Sequence, residues 1–151
     1  AVATLVLNQP DLVRRWLTDV ADWVGTHILE DGSANIRKAL RELTPEHMET
    51  RFNPDVPNHP DVTYWSYGCQ AGRGTDTPIA PIFRYLNGYL YEREGPNDGI
   101  VSVRSARWGE YQATVNADHG RQVGLSSGLA SHFDSNAFYA SIAENLAQEE
   151  G

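Results

Sequence analysis

The sequence predicts an α/β fold built on parallel strands, and three observations lead there. Two segments, VTYWSYG (62–68) and GEYQATVN (109–116), are rich in β-branched and aromatic residues and bounded by Gly or Pro. About 40 residues separate them, the length of a helical crossover rather than of a hairpin, so the strands should be parallel. The remaining periodic segments repeat apolar residues at i, i+3 and i+4, the helical spacing. Parallel strands normally sit inside larger sheets covered on both faces, and two strands make no stable sheet core alone. Part of the sheet is therefore expected in residues this chain does not contain.

From Gln9 to Leu29 apolar residues recur at Leu12, Val13, Trp16, Leu17, Val20, Trp23, Val24 and Ile28, an amphipathic helix with Pro10 suited to its first turn. A second helical pattern runs through Ile36, Ala39, Leu40 and Leu43, and Thr44-Pro45-Glu46 caps a short third. RFNPDVPNHPDV, with three prolines, reads as an irregular connector into the first strand. The Gly/Thr loop QAGRGTDTP, a helix over Ile82–Leu90 and the turn GPNDG fill the interval to the second strand. Phe138, Ile142 and Leu146 mark a terminal helix over Ser135–Gln148.

Composition narrows the chemistry. A chain of 151 residues, 40% hydrophobic, buries one ordinary core. The net charge of −8 and the lack of any Lys/Arg run beyond two residues exclude a phosphate-binding surface, so nucleic acid is not an expected partner. Cys69 is the one cysteine, so no internal disulfide can form. No apolar run reaches the roughly 18 residues of a membrane span, and the chain is expected to be soluble. The first residues lack a signal peptide's basic start, and an Ala in place of Met is what a processed chain or a fragment would show. His27, His47, His59 and His132 have no metal-ligand spacing among them and read as structural or exposed.

Reactive side chains of open α/β sheets collect in loops beyond the carboxyl ends of the strands. Asp98 lies in a turn downstream of the first strand and His119 follows the second directly. An acid followed by a histidine is the latter part of a Ser…Asp…His order. Considered alone, NDG is also a common turn. Its neighbours sharpen the reading: LTPEHMETRFN (43–53), VTYWSYGCQAG (62–72), NDGIVSVRSARWGEY (97–111) and NADHGRQVGL (116–125) together resemble the triacylglycerol lipases of the bacterial true-lipase family and their fungal relatives. FDSNAFYASIAENLAQEEG (133–151) is similar to the final helix of the fungal members. The resemblance runs in register over roughly residues 40–151.

That resemblance implies the C-terminal part of an α/β-hydrolase fold, incomplete in this chain, with a helical lid or cap region at 1–50 and the strands, acid loop, histidine loop and terminal helix at 51–151. It implies Asp98 and His119 as the catalytic acid and histidine of a carboxylic ester hydrolase acting on long-chain acylglycerols. The serine, its G-x-S-x-G elbow and the oxyanion donors would lie before Ala1, on an N-terminal portion that becomes the expected partner. No cofactor is needed, the partner surface is a lipid interface, and the location is extracellular. Gly124-Leu125-Ser126-Ser127-Gly128 formally matches the elbow, but a short polar segment rather than a buried strand precedes Ser126. Ser66 lacks the glycine before it. Asp118 is expected to be a solvated neighbour, because adjacent side chains of an extended segment point apart. Trp16 and Trp23 suit either a core or a lid.

The relatives' calcium site also has counterparts here: Asp76 upstream of the acid, preserved in type, and Arg121 two residues after the histidine, where the family has an aspartate. A cation there would be repelled, so no metal is expected, and a guanidinium clamp of Arg121 on Asp76 is expected instead. The disulfide of some relatives is absent, Arg104 occupying the cysteine's place. A reading of another class is a non-catalytic module that uses its aromatic helices to sit on a lipid or protein surface.

Overall fold

Local hydrogen-bonding needs account for where each element starts and stops. The computed structural model describes residue 42 and residues 44–125 and 133–149. The predicted helix over Gln9–Leu29, most of the second helical pattern, and Ser126, His27 and His132 lie outside the described residues. The chain divides into two units, Ala1–Val62 and Thr63–Gly151.

In the first unit a helical run begins at Pro45–His47, and the Thr44 hydroxyl accepts the His47 N–H at 3.3 Å, the expected cap. It widens into a π-turn at Met48–Phe52 and closes with Asn53–Asp55. The irregular connector expected from Arg51 onward thus starts only at Val56. Pro54, which has no N–H to donate, lies just past the point where the wide turn gives way to the closing segment.

The second unit holds β1 (Trp65–Gln70), α1 (Arg84–Glu94), β2 (Glu110–Asn116) and α2 (Ser135–Glu149). The two strands pair in parallel, with a register shift between Ser66 and Tyr67. Strand β1 is placed later than VTYWSYG suggests: pairing opens where Glu110 N–H donates to Tyr64 C=O at 2.8 Å and continues through Gln70. Gly109 is at φ +55°, and a Cβ there would sit 2.2 Å from that same Tyr64 oxygen, so the entry to β2 requires glycine. Helix α1 lies in the crossover and is led in by a 3-10 turn at Pro81–Phe83; it ends at Gly95. It starts and ends later than Ile82–Leu90. Asp134 caps α2 through its carboxylate and the Ala137 N–H at 3.0 Å, and Phe138 meets Tyr67 of β1 edge to face at 5.2 Å.

The result is a small two-stranded parallel sheet with helices, compatible with part of an α/β fold. The buried apolar core of the described residues is small: Cys69, Ala71, Ile79, Ala80, Leu86, Leu90 and Ala117. It sits at the carboxyl ends of both strands and under α1. Leu86 and Leu90, one turn apart, are the face of α1 that packs inward.

Candidate functional site

The acid loop is organised by its own sequence. Asn97 and Asp98 each fold a side chain over the turn that follows: Asn97 Oδ1 accepts Gly99 N–H at 2.9 Å, and Asp98 Oδ1 accepts the N–H groups of Ile100 and Val101 at 2.9 and 2.7 Å. Gly99, at φ +104°, lies so close to Phe83 that a Cβ would stand 2.5 Å from the Phe83 Cβ. A second amide holds the loop to α1. Asn87 Nδ2 donates to Asn97 Oδ1 and to Ala71 C=O, both at 2.8 Å, and Asn97 Nδ2 donates to Asn87 C=O at 3.1 Å. Both asparagines are buried, and the exchange satisfies polar groups that could not otherwise leave water.

Asp98 is itself 3% exposed. Its Oδ2 faces His119, whose Nδ1 lies 2.9 Å away, and the His119 N–H donates to the Asp98 carbonyl at 2.9 Å. Side chain and main chain therefore join the two loops at one point. The other carboxylate oxygen already takes two N–H donors, so the carboxylate is an acceptor and the imidazole must present Nδ1–H to it. That fixes the tautomer and leaves Nε2 as the free base. The His119 side chain is 42% exposed, against 4% for Asp98, so the ring reaches out from a buried anchor. Its pKa is raised above the ordinary 6.5, first by the hydrogen bond to Asp98 and then by the charges of Asp98 and Asp118, with burial opposing. The edge of Phe83 borders the ring at 6.3 Å between centroids.

Asp118 is not the solvated neighbour that was expected. It is 1% exposed, and its oxygens accept the Ala80 N–H at 3.1 Å and the Arg121 N–H at 3.0 Å. The geometric premise holds, since Asp118 and His119 serve different loops, but the other side of the chain is interior rather than solvent. Arg121 corrects the second expectation. Its buried guanidinium places Nε 3.8 Å from Asp118 and donates from Nη1 to Pro78 C=O at 3.1 Å, while Asp76 is exposed. A tether between the 78–80 segment and the histidine loop exists, with Asp118 as the carboxylate.

Three residues of the site escape sequence reasoning. Asn87 is invisible because its partners lie 10 to 16 positions away, and the interior place of Asp118 because the Ala80 N–H it accepts lies 38 positions away. Gln122 donates from Nε2 to Asp98 Oδ2 at 2.5 Å; its one signal is a position three residues after His119, on the 3-10 turn Arg121–Val123. Ser66 is engaged structurally, accepting Trp108 N–H at 3.0 Å. Cys69 is buried and free, and burial, then the charge of Asp98, push its pKa up to about 12, which keeps it a thiol.

No family model matches the chain. Over 81 residues, 52% of its length, it is 37% identical to triacylglycerol lipase 2 of Saccharomyces cerevisiae. The match covers 23% of that protein, so the chain spans less than a quarter of the curated relative. The relationship is lipase-like and local, and it supports a lipase-related hydrolase function at that coarse level.

Proposed function

We propose that this chain supplies the acid and the histidine of a serine ester hydrolase acting on acylglycerols, with the nucleophile on a portion of the enzyme upstream of Ala1. The observation that carries the reading is the Asp98–His119 contact at the carboxyl ends of two parallel strands. In that role His119 Nε2 takes the serine proton as the hydroxyl attacks the ester carbonyl, then returns it to the departing alcohol. Asp98 holds the imidazole in the required tautomer and stabilises the imidazolium formed between those steps. Water, deprotonated by the same nitrogen, releases the acid from the acyl-enzyme. The reaction so written uses no cofactor.

The finer assignment, to the bacterial true-lipase family with an α/β-hydrolase fold, rests on the ordered motifs. With it goes a lid over Gln9–Leu29 that opens at a lipid–water interface and an extracellular place of action. Replacing Trp16 and Trp23 by Ser should then lower hydrolysis of emulsions more than of soluble short esters. Equal losses would return both residues to the core.

A fluorophosphonate probe tests the main reading. Labelling should fall on a serine of the upstream portion in the complete enzyme and should be absent from the 151-residue chain alone. Labelling of Ser126 in this chain would overturn the division of the triad. The exposed Tyr139 and Leu146 of α2 favour a second reading, a non-catalytic module seated on a lipid or protein surface. It predicts vesicle or partner binding with no probe-reactive serine in any associated polypeptide.

A further inference from the structure

We infer that Gln122 is a positioning residue for the acid–histidine pair, one that shares Asp98 Oδ2 with the imidazole and so limits how strongly the carboxylate holds the His119 proton. The inference rests on the proposed role of Asp98 and His119 and goes on to how their basicity is set. Asp98 has two oxygens and about four acceptor positions. Ile100 and Val101 N–H groups take Oδ1, while His119 Nδ1 and Gln122 Nε2 take Oδ2. Three of these donors belong to the protein whatever the histidine does. The two main-chain donors are built into the NDG turn and could not be varied without refolding it. Gln122 is a side chain, and it arrives from the histidine's own loop.

A neutral donor on the oxygen that faces the imidazole spreads the carboxylate's charge and fixes the plane of the carboxyl group. Each effect bears on catalysis. A fully undivided carboxylate would stabilise the imidazolium further and leave less neutral base at neutral pH, whereas a general base works best with a pKa near the working pH. An unfixed carboxyl plane would let Nε2 swing away from the nucleophile. Among the described residues, the charged groups that act on His119 are Asp98, from the loop after α1, and Asp118, from its own loop; the Arg121 guanidinium is turned to Asp118 and the Pro78 carbonyl, and the buried Cys69 thiol of β1 feels Asp98. Two carboxylates press the pKa up, and the Gln122 amide is the neutral group among them that acts on the nearer one.

The test is an NMR titration of the His119 ring nitrogens in the full natural polypeptide, compared with Gln122→Met and Gln122→Glu. Gln122→Met keeps the length and removes the donor; Gln122→Glu keeps the shape and sets a second carboxylate against Asp98, so one interpretable variant remains if the other does not fold. In both, the His119 pKa should rise, by on the order of half a pH unit for Gln122→Met. The acid limb of the rate profile should move with it, giving a several-fold lower rate at a fixed acid pH and little change on the alkaline plateau. An unchanged or lowered His119 pKa in a folded variant overturns the role, since a side chain that only packs would not move the titration. The two readings fail separately: wild-type enzyme that hydrolyses no ester would sink the proposed function, whereas the titration reads Gln122 independently of turnover.

Discussion

The two ends of the second unit are built to different standards. At the carboxyl ends of the strands the chain is closed: Asn87, Asn97, Asp98, Ser102, Asp118 and Arg121 are buried, and each has a hydrogen-bond partner. Along the strands and the terminal helix it is open. Five of the seven residues of β2 are exposed, as are Tyr139 and Leu146 of α2 and Val123 and Leu125 beside the histidine loop. A parallel pair normally has both faces covered. The difference teaches that polar order here does not depend on a large apolar core. The acid and histidine loops are tied by their own turns, asparagines and a buried ion pair, contacts that owe little to the exposed strand β2.

The largest expected effect breaks the closed end at its centre. Asp98→Asn and His119→Ala in the complete enzyme should each abolish most ester hydrolysis. For Asp98→Asn the loss should approach 10⁴-fold in kcat, about the cost of losing the correct tautomer in a triad. Circular dichroism should stay near that of the parent. Normal turnover in either variant would remove the assignment and leave a well-ordered polar cluster without a role.

Next comes Asp118, which separates holding the loop from doing the chemistry. Asp118→Ala takes the acceptor from two N–H groups and a charge partner from the buried Arg121 guanidinium, and should cost about 3–5 kcal/mol of stability in denaturant unfolding. Asp118→Asn keeps an acceptor and should cost less. Neither removes the Asp98–His119 bond, so turnover at low temperature should fall far less than for Asp98→Asn. A loss as large would mean that Asp118 is part of the reacting group.

Much of the closed end was legible in the sequence where a feature is local. The strands, the crossover helix, the NDG turn and the histidine placed directly after β2 follow from periodicity and turn chemistry within a few residues, and the parallel sense of the strands from the length between them. Helix α2 was legible too, from its apolar spacing. Asp118 and Arg121 were not, because whether a charged side chain is interior depends on what packs opposite it, here the Pro78–Ala80 segment, distant in sequence. The same holds for Asn87, which reads as an unremarkable helix residue until Asn97 comes beside it. The shift of β1 toward Gln70 was hidden because pairing, rather than β propensity, decides where a strand begins.

A smaller effect sharpens the contrast through pH. The folded pKa of His119 lies above 6.5, so the stabilisation from its charged contact with Asp98 is complete below about 6.5 and is lost as pH rises through the folded value. The base form grows over the same interval in the opposite sense. Hydrolysis should therefore fall about tenfold per pH unit on an acid limb whose midpoint lies above 6.5. Asp118→Asn should move that midpoint down, since it removes one of the two charges that raise it, and unfolding measured at two pH values should show the complementary trend. A midpoint below 6.5 would contradict the geometry of the pair.

The smallest effect, and the one that most directly probes the open end, is at Leu146. The residue is 47% exposed on α2, and a substitution at an exposed position away from special features is normally worth within about 0.5 kcal/mol. Leu146→Ser in the 151-residue chain should therefore leave the unfolding midpoint almost unchanged. In an enzyme that includes the upstream portion the same position is expected to face additional protein, and burying a leucine is worth about 1.5–3 kcal/mol. The same substitution there should become destabilising by an amount of that order. The difference between the two measurements reports the cover directly, because both contain the same helix and the same mutation. An equally small effect in both would mean that α2 keeps its outer face in solvent, and that any cover for the sheet comes from another side.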